Sequence, residues 1–320
     1  MSLRRALIVG IDDYPTVPLS GCVNDAVRIN KLLRRHDDGS CNFDCKLLTA
    51  PQNQITRSIL IESIKNLFEH EADTSLFYFS GHGTENNLDG YIVTQDVSKY
   101  NEGVSMSEII KMANDSPVGE IVIILDSCHG GALGNIPAID NVRSILREGI
   151  SILTASRSSQ VALEDSEGGL FTSLVVDALR GGAADICGNV TSAAIYAFVD
   201  QAFGAWDQRP LFKAHVSKFN PIRKCNPTIN LSILRKLPRY FTDPEEEFSL
   251  NPSFEPTEEP RNEKNEAIFS ELQKLRAQRL VTPVGEEHMR NPIGSGLEMS
   301  HFFNNKQVLM ENVSFQDLTL

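Results

Sequence analysis

Ile121-Val122-Ile123-Ile124-Leu125-Asp126-Ser127-Cys128-His129-Gly130-Gly131 is the stretch on which the reading of the chain turns. Its first five residues are all apolar. A run of that length with no polar face reads as a strand buried on both sides, as inside a parallel sheet. It then ends abruptly in an acid, a hydroxyl, a thiol and an imidazole, followed by two glycines.

The same pattern recurs on either side. Ala6 to Ile11, Ser75 to Phe79 and Ile150 to Ala155 read as apolar strands, and Cys45 to Leu48 as a short one. Between them lie helical periodicities: Asn24 to Leu33 with Asn24 as cap, Ile55 to Phe68, Met106 to Ala113 and Leu170 to Leu179. Strands alternating with helices predict an α/β fold, a doubly wound, mostly parallel sheet flanked by helices. Such sheets place their sites at the carboxyl ends of the strands. Three ends carry polar groups: Asp12-Asp13-Tyr14-Pro15, Ser80-Gly81-His82-Gly83-Thr84, and Asp126 onward. They are expected to converge on one crevice.

The chain has 320 residues, a net charge of -12 and an apolar share of 41%, enough for a sizeable core. The acidic balance argues against nucleic acid and anionic membranes as partners and suits a basic substrate. No apolar run is long enough to span a membrane, and the N-terminus reads as a buried strand rather than a secretion signal. The six cysteines are sparse. Cys41 and Cys45 lack the second ligand pair a zinc site needs. A reducing, cytoplasmic setting is the expectation.

Composition divides the chain into an α/β domain over 1–222, a linker over 223–262 and a small C-terminal module over 263–320. Between Asp243 and Pro260 there are seven acids, four prolines and no Lys or Arg, so the linker is expected to form no core. In the module, Asn265 to Leu280 has helical spacing, and a small hairpin is expected after it.

A histidine or a cysteine alone is usually a packed or surface residue. Here His82 and Cys128 both sit in glycine-rich turns directly after strongly apolar strands. Glycines let such turns bend and bring backbone N–H groups close to a ligand. A Cys and a His on strand ends of one sheet can form a nucleophilic dyad in which the thiolate attacks. His129 adjoins Cys128, and neighbouring side chains on a turn diverge, so it reads as structural. Asp25 alone would be a helix-start carboxylate, and Asp126 alone a turn acceptor.

Tyr78-Phe79-Ser80-Gly81-His82-Gly83-Thr84 and Asp126-Ser127-Cys128-His129-Gly130-Gly131 resemble the two active-site motifs of caspase-like cysteine peptidases. They are nearer to metacaspases and bacterial orthocaspases than to animal caspases, whose Gln-Ala-Cys box is missing. Ala6 to Ile11, Gly21 to Ala26, Gln160 to Glu164 and Gly168 to Thr172 extend the likeness over about residues 3 to 220.

The resemblance implies a caspase-like fold and a cysteine endopeptidase. Cys128 would be the nucleophile, and His82 the residue that protonates the leaving amine. The N–H groups of Gly83 and Cys128 would hold the oxyanion. It implies an acidic specificity pocket of Cys22, Asp25, Ser80 and Asp126, hence cleavage of proteins after Arg or Lys. Paired carboxylates suit a guanidinium, which they bind bidentately.

Calcium-dependent metacaspases carry aspartate clusters between the two motifs and after the cysteine. Here Gly103 to Glu108 and Ala132 to Asn135 supply few carboxylates, so no metal, calcium or other cofactor is expected. Asp89 and Asp96 read as loop-solvating. A peptidase of this preference is expected to cut itself where a basic residue is exposed and flexible. Arg143 and Arg147 are candidates, in a connection read as partly helical. Arg239, Arg261 and Lys264, around the acidic linker, are the favoured ones.

The tail resembles small C-terminal modules of bacterial caspase-like proteins, with a winged-helix-like unit over Leu272 to Gly285. Lys274, Arg276, Arg279 and Arg290 read as a solvated face rather than a nucleic-acid contact. An upstream activating protease or regulator is a further expected partner. The short lead before residue 3 suits a prokaryotic stand-alone effector of stress, cell death or anti-phage defence. Two alternatives stand beside this reading. One is a catalytically silent caspase-like scaffold. The other is a receiver-like signalling domain built on Asp12, Asp13 and Asp126, which leaves His82 and Cys128 without a purpose.

Overall fold

The structure is a computed structural model. It describes residues 3–86, 89–99, 101–128, 139–140, 143–144, 146–155, 164–165, 168–203, 209–243, 246–257, 259–284 and 296–299. At a few of these, Cys128 among them, it describes the backbone alone. The chain divides into two compact units, Met1–Asn226 and Pro227–Leu320.

The first unit begins β1 (Arg4–Ile11), α1 (Cys22–Leu33), β2 (Asp44–Ala50), α2 (Arg57–Phe68) and β3 (Thr74–Glu85). Two short strands follow, β4 (Gly90–Ile92) and β5 (Val104–Ser105), then α3 (Met106–Asn114) and β6 (Glu120–Cys128). A small hairpin of β7 (Ile139–Asp140) and β8 (Arg143–Ser144) precedes β9 (Ile150–Thr154). The pair β10 (Glu164–Asp165) and β11 (Gly168–Gly169) leads into α4 (Leu170–Asp177). The unit ends with β12 (Asn189–Val190), α5 (Ser192–Ala202), β13 (Leu211–His215) and β14 (Arg223–Lys224).

The main sheet runs β13-β9-β6-β3-β1-β2, parallel except for the edge strand β13, which is antiparallel to β9. Successive residues of a strand face opposite sides, and both sides here are covered. Leu7, Val9, Phe77, Phe79, Ile121, Ile123 and Leu125 pack in one layer with Leu60 and Ile64 of α2 and Ile109 of α3. Ala6, Ile8, Leu76, Tyr78, Val122 and Ile124 pack in the other with Ile29 of α1, Val175 of α4 and Ile195 of α5. Each fully buried large apolar side chain contributes roughly 1.5–3 kcal/mol. This two-sided burial is what makes the central strands apolar throughout.

Acids hold the helix starts in place. Asp12 accepts from the N–H groups of Cys22 (2.9 Å) and Val23 (3.2 Å) at the start of α1. Asp96 accepts from Arg57 N–H (2.9 Å) at α2, and Asp89 from Ser107 N–H (3.2 Å) at α3. Asp89 and Asp96, expected merely to solvate loops, therefore occupy orphan donors at helix N-termini. Of the connection expected to be partly helical, Val142 and Ile145 lie outside the described residues; Ile139–Asp140 and Arg143–Ser144 pair as β7 and β8. Helix α5 and strand β13 were not read from the sequence.

The second unit contains α6 (Leu231–Leu234), α7 (Leu237–Tyr240), β15 (Glu247–Ser249), α8 (Glu263–Ala277), β16 (Val281–Val284) and β17 (Gly296–Met299). The three strands form an antiparallel sheet in the order β15-β17-β16. Phe241, Leu250 and Phe254 are buried, as are Phe269, Leu272 and Leu275 of α8. Residues 223–262 are thus not a bare linker. Arg223 and Lys224 pair with β12 in the first unit, and three apolar residues within the acidic stretch's neighbourhood enter a core. Among the described residues, no helix is long and apolar enough to cross a membrane.

Candidate active site

Strand β3 carries the first motif and changes partners as it does so. Its ladder with β1 stops at Gly10–Ser80, while its ladder with β6 runs two residues further, to His82–Cys128. From Gly83 onward it pairs with β4, Gly83 lying opposite Ile92. His82 therefore sits where the sheet opens at its carboxyl edge, with the Cα of Cys128 as its register partner. The Cys128 side chain and His129 lie outside the described residues.

The His82 ring is half-buried. Its Nε2 lies 2.7 Å from the carbonyl oxygen of Val17. A carbonyl only accepts, so Nε2 donates in this contact, which does not involve Nδ1. No side-chain pattern pointed to Val17, because the group it supplies is backbone.

The four residues expected to form a pocket are brought together. Asp25 is 1% exposed, on the inner face of α1. Its Oδ2 accepts from Gly169 N–H (2.9 Å), and its Oδ1 faces the Arg28 guanidinium (3.3 Å). Arg28 also reaches the Ser173 hydroxyl, 3.2 Å away. Asp126, at the end of β6, accepts from the Thr172 hydroxyl at 2.5 Å. Thr172 in turn accepts from the buried Tyr78 hydroxyl at 2.6 Å. Gly169 marks where the two acids meet. A Cβ built on it would lie 2.7 Å from Asp126 Oδ2 and 3.4 Å from Asp25 Oδ2. The missing side chain there lets the backbone approach both carboxylates.

The electrostatics follow from this crowding. Burial foremost, and then the Asp126 charge, push the Asp25 carboxyl up to about 7, against the opposing pull of the Gly169 N–H and Arg28. Cys22 is buried, and burial pushes its thiol well above the ordinary range, with nearby Asp12, Asp126 and Asp25 adding to the effect. A hydrogen bond with the buried Ser80 hydroxyl works the other way. Burial therefore favours the neutral thiol at Cys22. Thr172, Tyr78 and Gly169 received no role from the sequence, although Gly168 to Thr172 stood out as a motif.

Other acids near the crevice are committed elsewhere. Both Asp12 oxygens hold the start of α1, and Asp13 accepts from the Gln95 amide (3.1 Å). This speaks against the receiver-like alternative, which needs them free. Glu108 forms a capping box with Ser105 and pairs with Arg57 at 2.6 Å. Among the described residues, no group of three or more His, Cys, Asp or Glu converges as a metal site.

The candidate processing sites differ in setting. Arg147 is pinned, its guanidinium donating to the carbonyls of Ala113 (3.2 Å), Glu148 (2.6 Å) and Val118 (2.6 Å). That anchoring does not match the exposed, flexible setting expected of it. The backbone of Arg143 pairs with Asp140 in the hairpin, and its side chain lies outside the described residues. Arg239 is exposed within α7, and Lys264 lies in the first turn of α8. Arg261 is exposed just before α8 and pairs with Glu266 at 3.0 Å.

A parallel sheet in which a histidine and a cysteine are the last register partners of adjoining strands, with two buried or strand-end acids meeting at one glycine, defines a caspase-like domain. A family model described as Caspase domain matches residues 3–236. The chain belongs to that caspase-domain family. Metacaspase-1 of Scheffersomyces stipitis is 26% identical over 162 residues, covering 45% of this chain and 40% of the relative. Metacaspase-7 of Arabidopsis thaliana is 32% identical over 148 residues, covering 41% and 35%. The chain thus spans less than half the length of either relative. Caspase-1 from Spodoptera frugiperda shares the fold with a TM-score of 0.52 and 13% identity, covering 70% of this chain and 91% of that one. A protein from Geobacter sulfurreducens does so with a TM-score of 0.51 and 15% identity, covering 70% and 100%.

Proposed function

We propose that this chain is a cysteine endopeptidase that hydrolyses peptide bonds after Arg or Lys, needs no metal or cofactor, and acts on proteins that expose such residues. The observation that supports the specificity is the convergence of Asp25 and Asp126 on Gly169. A cation entering there faces two carboxylates in a desolvated setting, where charge-assisted hydrogen bonds are strongest.

In this reading the Cys128 thiolate attacks the scissile carbonyl carbon and forms a carbon–sulfur bond. The carbonyl electron pair moves onto oxygen, which the N–H groups of Gly83 and Cys128 hold. As the intermediate collapses, His82 Nδ1 delivers a proton to the departing amine, and a thioester remains. Water then gives a proton back to His82 and attacks the thioester. This releases the carboxylic acid and restores the thiolate. The Val17 carbonyl keeps Nε2 protonated throughout, so that Nδ1 alone shuttles.

A reducing cytoplasm would keep Cys128 a thiol, and Cys22, Cys41, Cys45, Cys187 and Cys225 are unpaired. A role as a prokaryotic effector of stress, cell death or defence is supported by the likeness of the motifs to those of bacterial orthocaspases. Profiling peptide libraries with the purified chain against Cys128→Ala tests the activity. Cleavage after Arg or Lys by the wild type alone is expected, and efficient cleavage after Asp would overturn the pocket. Inducing each form in bacteria tests the role: growth arrest that needs Cys128 is expected.

A further inference from the structure

We propose that Tyr14 is a positioning residue for His82, and that Gly81 lacks a side chain in order to admit it. The inference rests on the proton-transfer role of His82 given above.

The need arises from the sheet. The β1–β3 ladder ends at Gly10–Ser80, and Ile11, the last residue of β1, pairs only with Ala50 of β2. Beyond that point β3 has lost its neighbour on the β1 side, just where it must hold a histidine still. A strand backbone without a partner leaves a donor and an acceptor to satisfy. Tyr14, three residues past the end of β1, takes the vacated place with its side chain. Its hydroxyl oxygen accepts from His82 N–H at 3.0 Å, and its O–H donates to the Val93 carbonyl at 3.2 Å. Val93 N–H donates to the His82 carbonyl at 2.9 Å. The two backbone groups of His82 are thus tied into one closed circuit through the phenol.

The same residue constrains the imidazole. The rings of Tyr14 and His82 lie 4.6 Å apart between centroids, tilted by 53°. Tyr14 is 5% exposed, so its own place is set by packing. The loop that carries it is closed on itself, with Tyr14 N–H (3.1 Å) and Leu19 N–H (2.8 Å) both donating to the Asp12 carbonyl. From this loop come the phenol on the backbone, the ring on the imidazole face, and the Val17 carbonyl on Nε2. A side chain at position 81 would break the arrangement: its Cβ would lie 2.5 Å from the Tyr14 hydroxyl oxygen and 2.9 Å from Phe79 Cζ. The glycine before the histidine therefore has a specific purpose, and the Ile-Asp-Asp-Tyr and Ser-Gly-His-Gly stretches form one device. Burial keeps the phenol neutral, with its proton committed to Val93, so it orients His82 and does not itself exchange protons.

Tyr14→Phe removes only the hydroxyl and Tyr14→Leu removes the ring as well. With an Arg peptide, Tyr14→Phe is expected to lower kcat about tenfold and leave KM within about twofold, since the pocket is untouched. A kcat within about twofold of wild type would overturn the proposal. An equal loss in kcat and gain in KM would also overturn it, by marking a general loosening of the fold. The second readout needs no turnover. In the Cys128→Ala chain, the His82 ring-proton resonances are expected to shift in Tyr14→Phe and further in Tyr14→Leu. Unchanged resonances would sink the inference even if no peptide were cut, whereas shifted resonances without cleavage would count only against the peptidase reading. Gly81→Ala presses on the phenol from the other side and is read the same way. Should Tyr14→Phe fail to fold, the Gly81→Ala resonances decide: shifted supports the proposal and unshifted overturns it.

Discussion

The Cα atoms of His82 and Cys128 are register partners, the last pair of the parallel ladder between β3 and β6. Two residues 46 apart in the chain are thus neighbours because the β3–β6 ladder ends on both. The first prediction follows. Cys128→Ala and His82→Ala are each expected to lower turnover at least about a thousandfold, as for residues that act as a unit. Circular dichroism and melting should stay near wild type, because both lie at a sheet edge. His129 has no such partner role in the proposal, and His129→Ala should cost little. A Cys128→Ala chain retaining even about a tenth of wild-type turnover would remove the nucleophile assignment.

The second prediction concerns the pocket's fixed acid. Tyr78, Thr172 and Asp126 form a chain of donors, each O–H passing to the next acceptor. Asp126→Asn should raise KM for Arg peptides about 10–100-fold, since each tenfold corresponds to about 1.4 kcal/mol. Thr172→Val keeps the shape but removes one hydrogen bond from each of Asp126 and Tyr78, a loss of about 0.5–1.5 kcal/mol per bond. It should lower the melting temperature and raise KM by a smaller factor. If Asp126→Asn left KM for Arg unchanged, the carboxylate would not be reading the substrate.

How much of this was legible beforehand differed by element. The four inner strands, β9, β6, β3 and β1, were plain because two-sided burial leaves no room for polar residues, as in Ile121 to Leu125. The edge strand β13 carries Lys213 and His215, since its flank is open, and so gave no apolar run. The pocket acids were visible as residue types, but the Gly169 N–H and the Val17 carbonyl were not, because a backbone group has no letter. Tyr14 stood in a strand-end motif without a role, for its contact with His82 depends on where β1 stops. The acidic stretch after Asp243 misled by its average: charge and proline masked Leu250 and Phe254, which are buried.

The third prediction is a pH dependence with opposite signs for stability and recognition. Asp25 is pushed up to about 7 in the fold from an ordinary 3.8, by burial first and Asp126 second. Between those values the folded chain holds a proton that the unfolded chain has released. This contribution to stability therefore falls as pH rises from about 4 to about 7, and is level above. Asp25→Asn keeps an acceptor for Gly169 N–H. It should melt above wild type at about pH 8, with the gap closing near pH 5. Recognition runs the other way: the ratio of wild-type to Asp25→Asn kcat/KM for Arg peptides should rise from about pH 6 to pH 8. A variant that melts lower than wild type throughout, with a flat ratio, would contradict both halves.

The fourth prediction is that activity survives chelation. Asp89, Asp96 and Glu108, which follow the first motif in the chain, hold helix starts or Arg57. A hard cation wants several free carboxylate oxygens. EGTA is expected to leave peptide cleavage within about twofold. Strict dependence on added calcium would show that the ligands come from residues outside those described.

The last prediction ranks the self-cleavage sites. A peptidase needs its substrate extended through the crevice, so a basic residue inside a helix, a hairpin or a web of hydrogen bonds must first unfold locally. Arg147 is held by three carbonyls, Arg143 lies in the β7–β8 hairpin, Arg239 in α7 and Lys264 in the first turn of α8. Arg261 alone among the five stands outside an element and is exposed, with its pair to Glu266 and a backbone hydrogen bond to Glu259 to give up. An exposed ion pair of this kind is screened by solvent and holds weakly against the opening of a helix. Cleavage after Arg261 is therefore expected first. Intact-mass analysis of wild type against Cys128→Ala after long incubation checks this: a new boundary at Arg261–Asn262 in the wild type only is the expected result. Arg261→Gln should then leave the chain whole over the same period. A first cut at Arg147 would mean that its hydrogen bonds to Ala113, Glu148 and Val118 do not protect it, and the ranking by local order would fall. Equal masses in wild type and Cys128→Ala would rule out self-processing under those conditions, while cleavage of an added Arg peptide by the same sample would keep the peptidase reading intact.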